Sequence, residues 1–436
     1  MANSYLTYTQ SAGTSRRKFT YSVWMKRSTD NTSGNYNSGF FNCWSDANNR
    51  LGAYFYDNKL FLYGLSGGSA NISVRTNRLF RDTSAWYNIV IAVDTTQGTA
   101  ADRIKFYING VQETSLDQTT YPAQDHDLPS VGVNAKAIEV GRVNFGDQST
   151  YYYMDGYLSH VAFVDGQALA PTVFGETDST SGIWKFKSPS GVTWGTNGFH
   201  LKFENSGNLG LDSSGNSNTF TVNGNGRQAV DTPSNVYATW NPLEPELSYK
   251  GTYSNGNTTV ATTVTGGTSL RGSIAIPYTG KWYWENKVVS TSGTIADNSR
   301  IGIATGDSVT VGSNVRYMSN GQKTVDASAS SYGATYGAGD IIGVAVDSDN
   351  NTVEFFKNGA SQGSISYTMD SSLTYKPYIS ENSNSISITF STNFGNGYFG
   401  TTAITSAGSN GNGSLFEYDV PSGYYALNTK NINTYG

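Results

Sequence analysis

The chain has 436 residues, among them 49 Gly and 30 Tyr, with 14 % charged residues and a formal net charge of −5. That length allows two or three domains, each with its own core, and a 13 % aromatic content excludes a disordered polar chain, because those rings need a core or a partner. The acidic balance provides no electrostatic footprint for nucleic acid or an anionic membrane, and no apolar run is long enough to span a bilayer.

The opening residues, MANSYLTYTQSAG, contain no apolar leader and read as mature structure. In Phe19-Thr20-Tyr21-Ser22-Val23-Trp24-Met25-Lys26 the side chains alternate, which predicts a strand with Phe19, Tyr21, Val23 and Met25 on one face. Cys43 is the single cysteine, so an intrachain disulfide and a thiolate zinc site are both excluded, and assembly in a reducing cytosol is expected. The basic clusters Arg16-Arg17-Lys18 and Arg75/Arg78/Arg81 are short and read as solvated strand ends. Ile104–Ile108 and Ile386–Phe390 alternate like the first strand, and ten Asn-Gly dipeptides punctuate the chain. Asn-Gly favours the tight hairpin turn that needs positive φ at both central residues. No segment shows helical periodicity, and the chain is expected to be all-β.

An internal repeat sets the expected architecture. Residues 89–111, IVIAVDTTQGTAADRIKFYINGV, and residues 341–360, IIGVAVDSDNNTVEFFKNGA, share an apolar strand ending in Ala-Val-Asp, a polar turn and a strand ending in Asn-Gly. The second copy is four residues shorter in its turn, where a hairpin tolerates a change of length. Two copies this far apart imply two domains that share a hairpin, rather than a solenoid. The expected division is 1–175, a β-rich extension and Gly/Asn-rich connector over 176–250, and 251–436, with the boundary near 230–250.

With these pieces in place, residues 1–175 resemble the laminin-G/pentraxin-like branch of the concanavalin A-like lectin fold. The matching runs are FTYSVWMKRS (19–28), WYNIVIAVD (86–94), IKFYINGV (104–111) and MDGYLSHVAFVDGQALAP (154–171). Residues 251–428 resemble a SPRY domain through GKWYWENKV (280–288), RIGIAT (300–305), GDIIGVAVD (339–347), VEFFKNG (353–359), YKPYIS (375–380), NFGNGYF and VPSGYYALN. The linking run DTPSNVYATWNPL (231–243) is similar to a connector in tailed-phage proteins of this type, especially marine ones. The resemblance implies two concanavalin A-like jelly-roll β-sandwiches in tandem. It also implies a virion protein, a tail fibre or tail-associated adhesin, exposed on a particle assembled in the host cytoplasm. Its partners would be other virion proteins and a host-surface glycan or envelope protein. A capsid decoration or structural adaptor is the alternative, and a glycan depolymerase a third. By analogy with phage fibres, and because 30 tyrosines should leave exposed faces, a homotrimer is expected. The sequence shows no virion-anchoring domain and no coiled-coil stalk.

Catalytic chemistry finds little support. Retaining glucanases need two carboxylates about 5–5.5 Å apart, and no Glu-x-Asp-x-Glu run exists here. Glu244 and Glu246 sit in Pro-Leu-Glu-Pro-Glu, a proline-bearing connector. Gly395-Asn-Gly-Tyr-Phe-Gly400 matches a dinucleotide pattern literally, but no helix can follow it. Asp347-Ser-Asp349-Asn-Asn351 opens like a calcium loop, yet Thr352 and Asn358 stand where that loop needs Gly and Glu. Asp125-His126-Asp127 offers one or two metal ligands, and His160 and His200 are the only other histidines. The resemblance allows a calcium ion, with no ligands assigned, and no other cofactor. The chain is therefore read as a binding protein and not an enzyme.

Sugar recognition uses flat apolar faces together with amides and carboxylates for the hydroxyls, and this composition supplies both. The first candidate is Tyr151, Tyr152 and Tyr153 with Asp155, in the hairpin after Val140-Gly141-Arg142 that in laminin-G-like folds reaches the rim. Alternation turns at least one of three consecutive tyrosines inward. Trp44 with Asp46 and Asn48 is the second candidate, while Trp24, Trp282 and Trp284 are expected in the core.

Overall fold

The computed structural model describes residues 3–29, 36–144, 151–243, 251–262, 267–296, 298–305, 313–326, 328–383 and 385–436. The backbone is nearly all β and divides into two compact units, Met1–Ala229 and Val230–Gly436.

In the first unit an eight-stranded antiparallel sheet faces a six-stranded one. The larger sheet runs in the spatial order Leu116–Thr120, Ser69–Thr76, Lys59–Ser66, Asn49–Tyr56, Tyr36–Asp46, Ala137–Val140, Tyr5–Thr9 and Thr221–Asn223. The smaller places Lys18–Arg27 between Gly156–Asp165 and Trp86–Asp94. Alternation decides what each strand buries: Phe19, Tyr21, Val23 and Met25 meet Phe41, Cys43, Leu51, Ala53 and Phe55 in one apolar layer. Tyr21 lies 4.3 Å from Phe41 and Phe19 lies 5.5 Å from Phe163, ring centre to ring centre. Each such ring removed from water contributes about 1.5–3 kcal/mol. Trp24 points to the opposite side of its strand and is nevertheless 3 % exposed.

The Gly/Asn-rich stretch expected to act as a connector is folded structure of the first unit. Asp212 accepts from the backbone N–H groups of His200 (2.9 Å), Ser214 (2.8 Å) and Asn218 (2.9 Å). The Asn218 amide donates to the carbonyls of Thr196 and Gly198, both at 2.9 Å. Phe220 packs on Phe199 at 4.6 Å, and Thr221–Asn223 pairs with Tyr5–Thr9. Asn, Asp and Ser side chains here satisfy backbone groups that a sheet would otherwise satisfy, so a composition typical of linkers encodes an ordered loop. Past it, Gly224–Arg227 is exposed and free of regular structure. Brief trypsin treatment of the native protein is expected to cut after Arg227 and leave two resistant fragments. Early cuts within 196–223 by a protease of broad specificity would show that this loop is not ordered, since Lys202 is the single trypsin site there.

The second unit repeats the plan with an eight-stranded and a six-stranded sheet. Lys281–Thr291 and Ile341–Asp347 are central in the former, and Ser299–Thr305 lies between Tyr375–Glu381 and Asn314–Met318 in the latter. Trp240, Trp282 and Trp284, all fully buried, fill the core with Ile301, Ile303, Phe355 and Phe390. The one α-helix among the described residues, Thr429–Tyr435, was not expected from the sequence because two turns carry no readable period. Its start is specified by Asn428, whose side chain accepts from the Asn431 N–H at 2.9 Å.

The duplicated hairpin has the same chemistry in both units. Asn109 donates its N–H to the Asn88 carbonyl and its side chain accepts from the Asn88 N–H, at 2.9 and 2.8 Å. Asn358 does the same with Ile341, at 2.8 Å for both bonds. In each unit a later segment covers the outer side of this hairpin sheet. Trp184 reaches Asn88 Oδ1 at 3.0 Å in the first, and Phe416, Val420 and Tyr424 pack near Tyr283 in the second. This covering corrects the premise that the tyrosines leave exposed faces: among the described residues only Tyr278 (38 %) and Tyr435 (43 %) are exposed tyrosines.

Candidate functional site

Inward-facing Cys43, Leu51, Ala53, Phe55, Leu60, Leu62, Ile72 and Val74 leave the other set of residues on the outward face of the first unit's eight-stranded sheet. Across that face Trp44 is paired with Arg50, Gly52 with Tyr63, Tyr54 with Phe61, and Phe61 in turn with Arg75. A surface strand with one solvated face would place small polar groups there; this one places rings and guanidinium groups.

A hairpin of Arg142–Asn144 and Tyr151–Tyr153 lies on part of this face. Glycine lets it approach: a Cβ on Gly52 would stand 2.4 Å from Val143 Cγ2, and one on Gly39 would stand 2.5 Å from Val143 Cγ1. Val143 and Tyr152 join Tyr54, Phe61, Tyr56 and Tyr63 in a small outer cluster. Tyr151 and Tyr153 lie on the other side of their strand. The Arg142 guanidinium carbon is 3.4 Å from the Tyr5 ring centre and 4.0 Å from that of Tyr151. Tyr153 lies 6.0 Å from Tyr5, and Arg142 is ion-paired with Glu139. Asn42 also donates to Glu139, at 2.8 Å. The three tyrosines are therefore half-buried and divided between two environments rather than aligned as one platform, because successive residues of a strand face opposite ways.

The remaining sequence candidates separate into ring and turn. Trp44 is half-buried on the outward face, 6.0 Å from the Arg50 guanidinium carbon. Asp46 closes the following turn, accepting from the Asn48 N–H at 2.8 Å and from Asn49 Nδ2 at 3.0 Å. The Asn49 and Asn48 hydrogen bonds hold its carboxyl below the usual range. Asn48 supplies a carbonyl to the Gly68 N–H at 3.0 Å. Burial is the largest influence on Asp155 and pushes its carboxyl up, against the pull of Arg27. In the loop considered for a metal, Arg17 holds both Asp125 (3.2 Å) and Asp127 (2.7 Å), and His126 Nε2 meets Asn71 Nδ2 at 2.6 Å. The described residues contain no group of three or more side chains suited to a metal ion. Glu244 and Glu246 lie outside the described residues.

Arg75, read in the sequence as a solvated strand end, is instead mostly buried and held by Asp117 on this face. Arg50, Tyr56 and Tyr63 were not singled out in the sequence. Their signal was available in NRLGAYFY and KLFLYG, where both alternating sets contain large side chains. A strand apolar or aromatic on both faces has two surfaces to cover. Around them Ser73 donates to Gln118 at 2.6 Å, and Asp117 holds Lys59 and Arg75 at 2.5 and 2.7 Å. The carboxylates on this face, Glu139 and Asp117, are thus each tied to cations.

Sheets and cores together define two β-sandwiches, one following the other along the chain. Residues 1–173 match the concanavalin A-like lectin/glucanases superfamily in its third laminin-G family, and residues 281–393 match the SPRY domain. No curated protein matches the chain. Among solved structures, the SPRY domain of human HERC1 is 15 % identical, with 35 % of this chain and 96 % of that one covered and a TM-score of 0.31. A native heptameric SAP-like pentraxin from Limulus polyphemus is 14 % identical over 51 % of this chain and 89 % of that one, with a TM-score of 0.31. Domain 4 of AbnA, an extracellular arabinanase from Geobacillus stearothermophilus solved with arabinotriose, is 19 % identical over 36 % and 64 %, with a TM-score of 0.26.

Proposed function

We propose that this chain is a non-enzymatic adhesin of a tailed-phage particle that recognises a host-surface glycan through the outward face of its first sandwich. The observation that carries the reading is the row of half-buried rings, Trp44, Tyr56 and Tyr63, set among Ser73, Gln118, Arg50 and Arg75. Rings supply flat faces for sugar C–H groups, and the neighbouring amide, hydroxyl and guanidinium groups supply directional hydrogen bonds. The pairing of Asp117 and Glu139 with cations supports binding over hydrolysis, since general acid–base work needs a carboxyl group free to exchange a proton. The placement on a phage particle is supported by the order of the two domains and the run DTPSNVYATWNPL between them.

The test is binding of the intact protein to host cells and to a glycan array, with Trp44→Ala and Tyr63→Ala beside the wild type. Each ring acting as an anchor is expected to cost on the order of 2 kcal/mol of binding, with melting temperatures changed little. Absence of any glycan or cell binding by the wild type would favour the decoration or adaptor role. Release of shorter sugars from a bound polysaccharide would favour a depolymerase.

A further inference from the structure

Among the described strand residues of the outward face, Lys59, Arg75 and Arg142 are paired with carboxylates and Arg50 is not. Lys59 and Arg75 share Asp117, and Arg142 has Glu139. Arg50 donates to the Ala47 carbonyl at 2.5 Å and lies over Trp44, and among the described residues no carboxylate pairs with it. Asp46, the nearest acid in the chain, is spent on the Asn48 N–H and the Asn49 amide.

Arg50 is also half-buried, and its Nε lies beneath the surface without a hydrogen-bond partner. Burial lowers its pKa, with partial offset from the nearby Tyr63 and Tyr54 hydroxyls. Taking a guanidinium out of water without a counter-charge is unfavourable, and stacking over one indole ring offsets only part of that cost. The position is built, since Trp44 is its partner across the strand pair and Tyr63 stands opposite Gly52, two residues further along the same strand. A charge held ready between rings, with its partner missing, fits a ligand that brings the partner.

We propose that the glycan bound on this face is acidic, and that Arg50 receives its carboxylate or sulfate while Trp44 and Tyr63 pack against the sugar ring. This rests on the glycan-binding reading above and adds the charge class of the ligand. Planar carboxylates suit a guanidinium through paired N–H donors, and either anion would remove the uncompensated charge.

The experiment uses the full chain on an array that carries uronic-acid, sialic-acid and sulfated oligosaccharides beside their esterified, reduced or desulfated neutral counterparts. The wild type is expected to bind at least one acidic member at least tenfold more tightly than its neutral counterpart, with affinity falling as salt rises. Arg50→Gln should lose that preference, Arg50→Lys should retain part of it, and Trp44→Ala should weaken acidic and neutral members alike. The carboxylated and sulfated arms identify which anion is read. Neutral glycans bound as tightly as acidic ones, lost in Trp44→Ala and kept in Arg50→Gln, would overturn the inference and leave the lectin reading standing. No glycan bound by any form would overturn both. Thermal melts of each variant separate loss of fold from loss of contact.

Discussion

Acidification from about pH 7.5 to about pH 5 is expected to move the melting transitions of the two units in opposite directions. In the first unit His160 stacks on Phe186 at 3.5 Å, and His200, 3 % exposed, stacks on Trp194 at 5.8 Å. Burial pushes both imidazoles down to about 4. Folding therefore favours their neutral form. That contribution is complete above the unfolded value of about 6.5 and is lost as the pH falls toward the folded one. At about pH 5 the loss is about 2 kcal/mol per histidine.

Glu285 in the second unit has the opposite sign. It is fully buried on Lys281–Thr291 and accepts from the backbone N–H groups of Glu417 and Tyr418, at 2.9 and 3.0 Å. Asn393 Nδ2 donates at 3.3 Å and Tyr283 hydroxyl lies at 3.4 Å. Burial outweighs these bonds and pushes the carboxyl up to about 7. A raised carboxyl penalises the fold at neutral pH, and the penalty is relieved as the pH falls from the folded value toward the unfolded one of about 4.3. The second unit should gain about 2 kcal/mol over the same interval. At about 2–4 °C per kcal/mol, the first transition falls by roughly 10 °C and the second rises by roughly 5 °C. Calorimetry at the two pH values decides it. Transitions that move together would mean that these three groups do not govern the pH response, and Glu285→Gln should flatten the second transition alone.

Replacing the turn glycine of the repeated hairpin should cost each unit about 3 kcal/mol. Gly110 has φ +81° after Asn109 at +49°, and Gly359 has φ +80° after Asn358 at +49°. An L side chain in that region costs about 1–2 kcal/mol by itself. The added Cβ also has no room: on Gly110 it would stand 2.5 Å from Trp184 Cζ3, and on Gly359 2.7 Å from Tyr418 Cδ1. Both covering rings must shift, which adds a cost typical of an overfilled core. Gly110→Ala should lower only the first melting transition and Gly359→Ala only the second. A double-mutant cycle of Gly110→Ala with Trp184→Ala divides the cost, since removing the ring relieves the clash and leaves the backbone strain. Additive effects would show that the ring does not press on the turn.

Much of this architecture was readable because its causes are local. Period-two alternation in FTYSVWMK specified which residues entered the core, and Phe19, Tyr21, Val23 and Met25 all lie there. Asn-Gly at 109–110 and 358–359 specified the turn, through a backbone geometry that those residues tolerate best. The composition of Asn205–Asn225 was misleading by the same local logic. Polar, Gly-rich sequence looks like a linker until Asp212 and Asn218 find their backbone partners.

What only the tertiary structure decided is which side of a buried strand matters. Alternation assigns residues to two faces but does not say what covers the second face. In the hairpin sheets that cover comes from Trp184 and from the Phe416–Tyr424 segment, both distant in sequence. On the larger sheet of the first unit it comes from a hairpin carrying Val143 and Tyr152, which leaves Trp44, Arg50 and Tyr63 beside it. Tyr151–Tyr153 was visible as a ring-rich run, but its division into an Arg142 clamp and an apolar contact depends on Tyr5 and Tyr54. The lone charge of Arg50 was equally hidden. Whether a cation is paired is a property of the space around it, and the neighbours in that space come from strands whose pairing the sequence does not state.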